Sequence, residues 1–161
     1  MQVFTFIEST LSPYKFNPTM DGRVVACTVV WSLFGKRYYL RVTELSGGVI
    51  FLLPVIGSLE GFNILSLGWR RGKVYITTSF PHNYTVANTI DLTVRGCLPE
   101  AYNGRFRCFI PNPQQIIYDL PVYPGEPLQF GFVNYDIDIA GGYFDSTLVY
   151  RAANRQFEVS P

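Results

Sequence analysis

Residues 23–53 decide the fold class, and they read RVVACTVVWSLFGKRYYLRVTELSGGVIFLL. The first ten alternate between two apolar sets, as residues do along a β-strand, where neighbours point to opposite faces. Phe34-Gly35-Lys36 supplies a turn, residues 37–44 alternate again, and Gly47-Gly48 leads into a third run at 49–53. The stretch therefore predicts a three-stranded antiparallel meander.

Short β runs separated by turn residues continue to the C-terminus. Asn103-Gly104 is the strongest hairpin signal, because both residues tolerate positive φ. Residues 59–67 are the only candidate for a helical turn or two, and the glycines around them argue against more. The sequence thus predicts an all-β fold of roughly nine to eleven strands in sandwich or small-barrel form. Beyond the meander, the predicted strands lie at residues 73–78, 89–95, 105–110, 115–120, 145–151 and 156–159.

The composition indicates an assembly protein and argues against several other classes. Apolar residues make up 48% of the chain and aromatic residues 16%, whereas charged residues reach only 16%, against roughly 25% in a typical soluble domain. Such a balance favours β structure and protein interfaces. A net charge of +1 provides no basic footprint for nucleic acid. No apolar run is long enough for a membrane helix, and the N-terminus does not resemble a signal peptide, so we expect no stable membrane insertion.

No catalytic, metal or cofactor site is predicted. His82 is the only histidine, and its place in a Phe-Pro-His-Asn turn favours a structural role. Asp136, Asp138 and Asp145 lack the ligand pattern of a calcium loop, and we expect the first two to face solvent from one strand. The cysteines are odd in number and lack metal-ligand spacing, so reduced, buried thiols are expected at Cys27, Cys97 and Cys108. We therefore expect a protein that is not an enzyme.

Two local features are candidate partner contacts. Phe4 and Phe6 lie in an apolar N-terminal segment that is expected either to pair with the domain's own edge strand or to reach a neighbouring subunit. Trp69-Arg70-Arg71 places an aromatic ring beside two cations, which suits stacking on a sugar or base or docking of a partner. The alternative for this second feature is a polar turn between strands.

Two parts of the chain together carry a first resemblance. Residues 19–57 contain Asp21-Gly22-Arg23, a strand that ends in Trp31, the strand GKRYYLRV at 35–42 and the exit LLPVIG at 52–57. The C-terminus contributes GYF at 142–144, STLVYR at 146–151 and QFEVSP at 156–161. These motifs resemble those of the small plug-type baseplate proteins of contractile-tailed bacteriophages.

A second resemblance covers residues 73–131, which are similar to a β module that recurs in phage tail proteins. Its motifs are FPHNY at 80–84, IDLTVRG at 90–96, PEAYNGRF at 99–106 and IYDL at 117–120. The order of the two resemblances implies that the module is inserted into the plug-like domain. We therefore expect two small antiparallel sandwich or barrel-like units, namely a discontinuous plug-like domain at 1–66 plus 132–161 and an inserted module at 67–131.

The resemblances imply a structural protein of a phage tail baseplate, located in the virion after synthesis in the host cytoplasm. Such a protein would lie at the central hub or tube end and would plug or brace the channel before contraction. The implied partners are other baseplate, hub or tail-tube proteins and symmetric copies of the chain. The alternative is a small carbohydrate-binding β-sandwich module that stacks sugars on Trp69, Tyr75, Tyr84 and Tyr102.

Overall fold

The computed structural model describes residues 1–58 and 61–161, and it confirms the prediction of an all-β fold. Within that part of the chain, the one helix is a 3₁₀ turn at Glu100–Tyr102, so no described helix is long or apolar enough to cross a membrane. The described strands are β1 (Gln2–Thr5), β2 (Tyr14–Phe16), β3 (Thr19–Met20), β4 (Arg23–Ser32), β5 (Arg37–Glu44), β6 (Val49–Pro54), β7 (Gly57–Ser58), β8 (Phe62–Arg70), β9 (Lys73–Thr78), β10 (Thr89–Arg95), β11 (Gly104–Asn112), β12 (Gln115–Asp119), β13 (Phe132–Asn134), β14 (Thr147–Arg151) and β15 (Gln156–Ser160).

The chain divides into two compact units, one of which interrupts the other. The first, here called the host unit, comprises residues 1–58 and 137–161, and the second, the barrel unit, comprises residues 59–136. These boundaries differ from the expected ones after residues 66 and 131. The reason is strand pairing: β8 crosses position 66 without a break and pairs with β9, while β13 pairs with both β8 and β10.

The host unit is built from two sheets around one hydrophobic core. One sheet has the strand order β1-β15-β14-β7, and the other has the order β2-β4-β5-β6 with β3 also paired to β4. Alternation along β4 places Val25, Cys27 and Val29 in the core, as the period-two pattern predicts. Phe157 lies at the centre and is fully buried. Its ring contacts those of Tyr150, Phe16 and Phe6, with ring centroids 4.8, 5.1 and 5.7 Å away.

Two carboxylates hold the irregular segment 138–147 of the host unit. Asp21 accepts hydrogen bonds from the backbone N–H groups of Ser146, at 2.7 Å, and Asp145, at 3.0 Å. These bonds, led by that from Ser146, lower the pKa of the Asp21 carboxyl. Asp138 accepts the N–H groups of Leu148, at 2.9 Å, and Ala140, at 3.1 Å. The expectation that Asp138 faces solvent from a strand is therefore wrong, because its carboxylate satisfies backbone donors in a loop.

The barrel unit is a closed six-stranded barrel with the strand order β10-β11-β12-β9-β8-β13. Its interior is filled by side chains from all six strands and from the 3₁₀ turn. Tyr118 is almost fully buried, stacks on Phe106 at 4.1 Å between ring centroids, and donates its hydroxyl to the Tyr102 carbonyl at 2.8 Å. A buried hydroxyl with a partner adds directional specificity to an otherwise apolar core.

The helical turn considered for residues 59–67 is not formed at positions 62–67, which belong to β8; Leu59 and Glu60 lie outside the described residues. The two buried side chains Ile64 and Leu67 are three residues apart, a spacing typical of a helix. The register against β9 shifts between Ile64 and Ser66, which marks a bulge. The extra residue of the bulge turns a period of two into an apparent period of three.

The hairpin predicted at Asn103-Gly104 is also wrong. Gly104 is already the first residue of β11, and the Asn103 side chain bonds both the N–H and the C=O of Cys97, at 2.8 and 2.9 Å, across a longer loop. The residue pairs with positive φ in tight turns are Asp21-Gly22, between β3 and β4, and Arg71-Gly72, between β8 and β9. Both match the type I′ geometry, which suits the twist of antiparallel strands.

Candidate functional site

The outer surface of the barrel unit carries a row of apolar side chains, of which two are exposed and one is half-buried. In register across three neighbouring strands lie Tyr75 on β9, Ile117 on β12 and Phe109 on β11. Tyr75 and Phe109 are 44% and 45% exposed, a large share for aromatic side chains. We call this row and the charged row beside it the barrel face.

The charged row of the barrel face runs parallel to the apolar row. Each of its residues on β9, β12 and β11 lies two positions from the apolar residue of the same strand. Lys73 and Asp119 face each other and form an ion pair at 2.6 Å between Nζ and Oδ1. Arg107 and Asp91 face each other on the next two strands. The Asp119 carboxylate holds the pKa of Lys73 above its usual range, chiefly through the hydrogen bond. The charges alternate in sign, so the row offers a pattern for recognition without a net charge.

A shallow groove of about 520 Å³ runs between these two rows. An apolar centre with a polar, charged margin is the arrangement found at protein interfaces. The sequence prediction did not include this face, although the alternation of Arg105, Arg107 and Phe109 along a predicted strand was a signal for it. The local pattern does not show which residues of other strands lie beside these, because that depends on the order of strands in the barrel.

The predicted contact Trp69-Arg70-Arg71 lies at the end of β8 and in the following turn. Trp69 is half-buried and its indole N–H donates to the Leu120 carbonyl at 2.7 Å, whereas both arginines are exposed. Its ring contacts Tyr123, with ring centroids 5.1 Å apart. Arg71 therefore lies in a turn between strands, as the alternative predicts. Stacking of a sugar or base on Trp69, or docking of a partner there, stays a prediction.

Phe4 and Phe6 are placed differently from what a partner contact requires. Phe6 is 3% exposed and lies in the host core, where its ring contacts that of Tyr38 at 5.1 Å. Phe4 is half-buried and packs on Phe16 at 4.8 Å. The strand β1 pairs with β15 of the same chain, which is the first of the two options considered for the N-terminal segment. Phe6 is therefore corrected from a candidate contact to a core residue.

Of the four residues proposed as sugar-stacking platforms, Tyr102 is inaccessible and Tyr84 has one ring face covered. Tyr102 is fully buried, and its hydroxyl donates to the Gly125 carbonyl at 2.7 Å. Tyr84 is half-buried and stacks on His82 at 5.0 Å between ring centroids. Trp69 and Tyr75 keep exposed surface.

A buried polar network surrounds Asp136, the last residue of the barrel unit. The Asp136 carboxylate accepts hydrogen bonds from Asn134, at 2.6 Å, and Thr93, at 2.8 Å, and lies 3.6 Å from the Arg95 guanidinium. Its side chain is 8% exposed, so the expectation that Asp136 faces solvent is wrong. Two hydrogen bonds and one ion pair compensate the cost of burying the charge of this carboxylate, which indicates a structural role.

His82 is buried in the barrel unit. Its Nε2 lies 3.3 Å from the Gln115 carbonyl, which assigns the proton to that nitrogen. This placement agrees with the structural role expected for His82. Among the described residues, no group of three or more His, Cys, Asp or Glu side chains could hold a metal ion.

The three cysteines are free and buried. Burial raises the pKa of the Cys27 and Cys108 thiols to about 12. In the unfolded chain the same thiols ionise near pH 9, so the folded state retains their protons at a pH where the unfolded state loses them. Their contribution to stability is thus complete below about pH 8.5 and is lost as the pH rises toward 12. We expect the urea midpoint of unfolding to fall between pH 9 and pH 11 in the presence of a reducing agent.

The variant Cys27→Ala/Cys108→Ala is the control for this pH dependence. It removes the thiol contribution but keeps that of the buried tyrosines, since burial also raises the pKa of Tyr84, to about 12. The midpoint of the variant should therefore fall less steeply over the same pH range. Equal slopes for the two proteins would show that the thiols do not ionise differently in the folded and unfolded states.

The edge strand β6 of the host unit is a second candidate contact surface. The strand β6 ends its sheet, and residues 45–58 contain no charged side chain. Val55 donates to the Tyr38 carbonyl, and by the alternation of an antiparallel pair the backbone N–H and C=O of Leu52 point to the free edge. Such an edge can accept a strand from another chain, and the missing N–H of Pro54 limits its length.

Comparison with protein-family models, curated proteins and solved structures finds no match to this chain.

Proposed function

We propose that the chain is a structural protein of a phage tail baseplate, placed at the central hub or tube end, where it acts through protein–protein contacts. In this role it plugs or braces the channel before contraction, and its partners are baseplate, hub or tail-tube proteins and symmetric copies of itself. The specific location comes from the resemblance of residues 19–57, 142–161 and 73–131 to phage proteins. The interaction role rests on the surface of the molecule.

The barrel face is the observation that carries the proposal. It combines an apolar row, made of the exposed Tyr75 and Phe109 and the half-buried Ile117, with a row of charges of alternating sign. An isolated monomer gains nothing from exposing two aromatic rings and a β-branched side chain side by side, whereas a partner that covers them gains apolar burial and a fixed register. The uncharged edge strand β6 adds a second surface of the same kind.

Chemical cross-linking with mass spectrometry on purified tails of the source phage tests the proposal. The chain has three lysines, and all of them are exposed: Lys15 and Lys36 in the host unit and Lys73 on the barrel face. We expect links from these lysines to hub, tube or baseplate proteins. Absence of the protein from the particle, or a particle-bound protein without links to such subunits, would contradict the proposal.

A pair of variants tests whether the barrel face is the surface used. Phe109→Ser removes one of the two aromatic rings of the apolar row, and we expect it to lower incorporation into tails at least about tenfold, since a buried aromatic contact contributes about 2 kcal/mol or more to many interfaces. Leu65→Ser is the matched control, because Leu65 is a 59% exposed apolar residue of the same unit outside the barrel face. Equal incorporation of both variants would exclude this face as the contact.

A further inference from the structure

A second groove on the barrel unit adjoins the barrel face, since Gly68 in its lining lies opposite Tyr75 in the pair of β8 and β9. It has a volume of about 340 Å³ and is lined by Leu67, Gly68, Trp69, Tyr123, Glu126 and Pro127. The volume falls within the range of small-ligand sites. Along this part of β8 the neighbouring strand is β9 on one side, while β13 reaches only Phe62 and Asn63 on the other.

Two aromatic rings in mutual contact, those of Trp69 and Tyr123, line this groove. Trp69 is fixed by its indole N–H, which donates to Leu120, and Tyr123 is 48% exposed and tilted by 50° against the indole. Rings whose centroids are 5.1 Å apart leave no space between them for an inserted cation, so the pair is not a cage for an ammonium group. An indole and a phenol ring of this kind present apolar faces on which a flat apolar surface can pack.

The polar side-chain groups of the groove accept hydrogen bonds and do not offer donors. The Tyr123 hydroxyl donates to Glu126 Oε1 at 3.0 Å, and this bond raises the pKa of Tyr123. The indole N–H of Trp69 is already used by Leu120. What remains for a ligand are the Glu126 carboxylate oxygens and the lone pairs of the Tyr123 hydroxyl. The side chains of this groove therefore favour a ligand that donates hydrogen bonds.

Gly68 contributes only backbone atoms to the lining of the groove. A Cβ atom built at this position would meet no atom within 4 Å, so the space above the strand at Gly68 is free. A side chain at this position would lie on the outer face of the sheet, beside Tyr75 on β9. A strand residue without a side chain often marks a site where a ligand approaches the backbone closely.

We propose that this groove binds a neutral saccharide, with one pyranose ring stacked on Trp69 and Tyr123 and hydroxyl groups donating to Glu126. A pyranose offers both required surfaces: an apolar face of C–H groups and hydroxyls that donate. An anionic ligand is repelled by Glu126, and a proline-rich peptide offers mainly carbonyl acceptors, which the groove cannot satisfy with its side chains. The inference goes beyond the assembly role and does not depend on it.

Titration of the full-length protein with neutral tetrasaccharides tests the proposal. The chain has two tryptophans, and the variant Trp31→Phe makes Trp69 the single reporter of fluorescence and of the indole N–H signal in NMR spectra. The probes are maltotetraose, cellotetraose, chitotetraose and mannotetraose. We expect at least one of them to shift both signals with a dissociation constant in the millimolar range. No shift with any of the four would overturn the proposal.

Three variants distinguish saccharide binding in this groove from binding elsewhere on the barrel unit. Glu126→Gln should weaken binding about tenfold, because a hydrogen bond to a charged acceptor is stronger than one to an amide. Tyr123→Ala should abolish binding by removing one of the two rings, and Phe109→Ala, on β11 of the barrel face, should leave it unchanged. If a proline-rich peptide shifts Trp69 and the saccharides do not, the groove binds peptide and the proposal fails. Since the measurement uses purified protein without tails, its result is independent of the proposed baseplate role.

Discussion

Truncation of Phe157 to alanine is expected to lower the free energy of unfolding of the host unit by about 3–5 kcal/mol. Phe157 is fully buried, and its ring touches three other aromatic rings that belong to β2, β14 and the segment after β1. Removing it leaves a cavity where these parts of the unit meet, and backbone pairing on both sides limits how far the cavity can collapse. Urea unfolding followed by Trp31 fluorescence, in a Trp69→Phe background, measures the change in the host unit alone.

Phe34→Ala is the matched control for this experiment. It makes the same chemical change at a fully exposed residue in the turn between β4 and β5, so the free energy of unfolding should change by no more than about 0.5 kcal/mol. If the two variants unfold at the same urea concentration, Phe157 does not lie at the centre of the host core.

Gly131→Ala is expected to destabilise the barrel unit by more than about 4 kcal/mol or to prevent it from folding. A Cβ atom at position 131 would overlap the Arg95 carbonyl and the backbone of Gly96, and backbone atoms cannot move aside as a flexible side chain can. Gly131 also accepts the Ile64 N–H at 2.9 Å. The barrel closes at this point, because β13 pairs with β10 on one side and with β8 on the other. Unfolding followed by Trp69 fluorescence in a Trp31→Phe background measures the effect.

The control variant for Gly131→Ala is expected to keep or raise the stability of the barrel unit. Gly68→Ala adds the same methyl group to the same barrel at a position where a Cβ meets nothing within 4 Å. Because glycine in a strand costs conformational entropy on folding, this change should leave stability equal or raise it by about 0.5–1 kcal/mol. A Gly131→Ala protein as stable as wild type would show that the chain does not pass so close to Arg95.

Local alternation was enough to predict much of the fold. The strands β9 and β10 coincide with the predicted runs, and the meander of β4, β5 and β6 lies where residues 23–53 indicated. Short-range rules failed where the chain departs from ideal pairing. The bulge in β8 imitates helical spacing, and Asn103-Gly104 has the composition of a tight turn although Asn103 closes a loop onto Cys97.

The candidate sites were less predictable, because their residues come together only through strand order. Trp69 was identified from its own neighbourhood, but Tyr123 and Glu126 lie more than fifty residues later in an irregular segment. Phe6 shows the converse problem. Its alternation with Thr5 and Ile7 predicts a strand with one apolar face, but the pattern does not state whether a partner or the chain's own core covers that face.

The places where the chain enters and leaves the barrel unit have a consequence for how such a protein can change over evolutionary time. Phe62 lies opposite Val133 in the pair of β8 and β13, so the two ends of the insert are side by side. In the host unit, Ser58 and Ile137 flank the insert, and the Ile137 N–H donates to Ser58 Oγ at 3.0 Å. A recombination event that exchanged residues 59–136 for another cassette with adjacent ends would break no strand pair of the host unit. Gene exchange can thus replace the barrel and its grooves as one piece while the surfaces of the host unit are inherited unchanged.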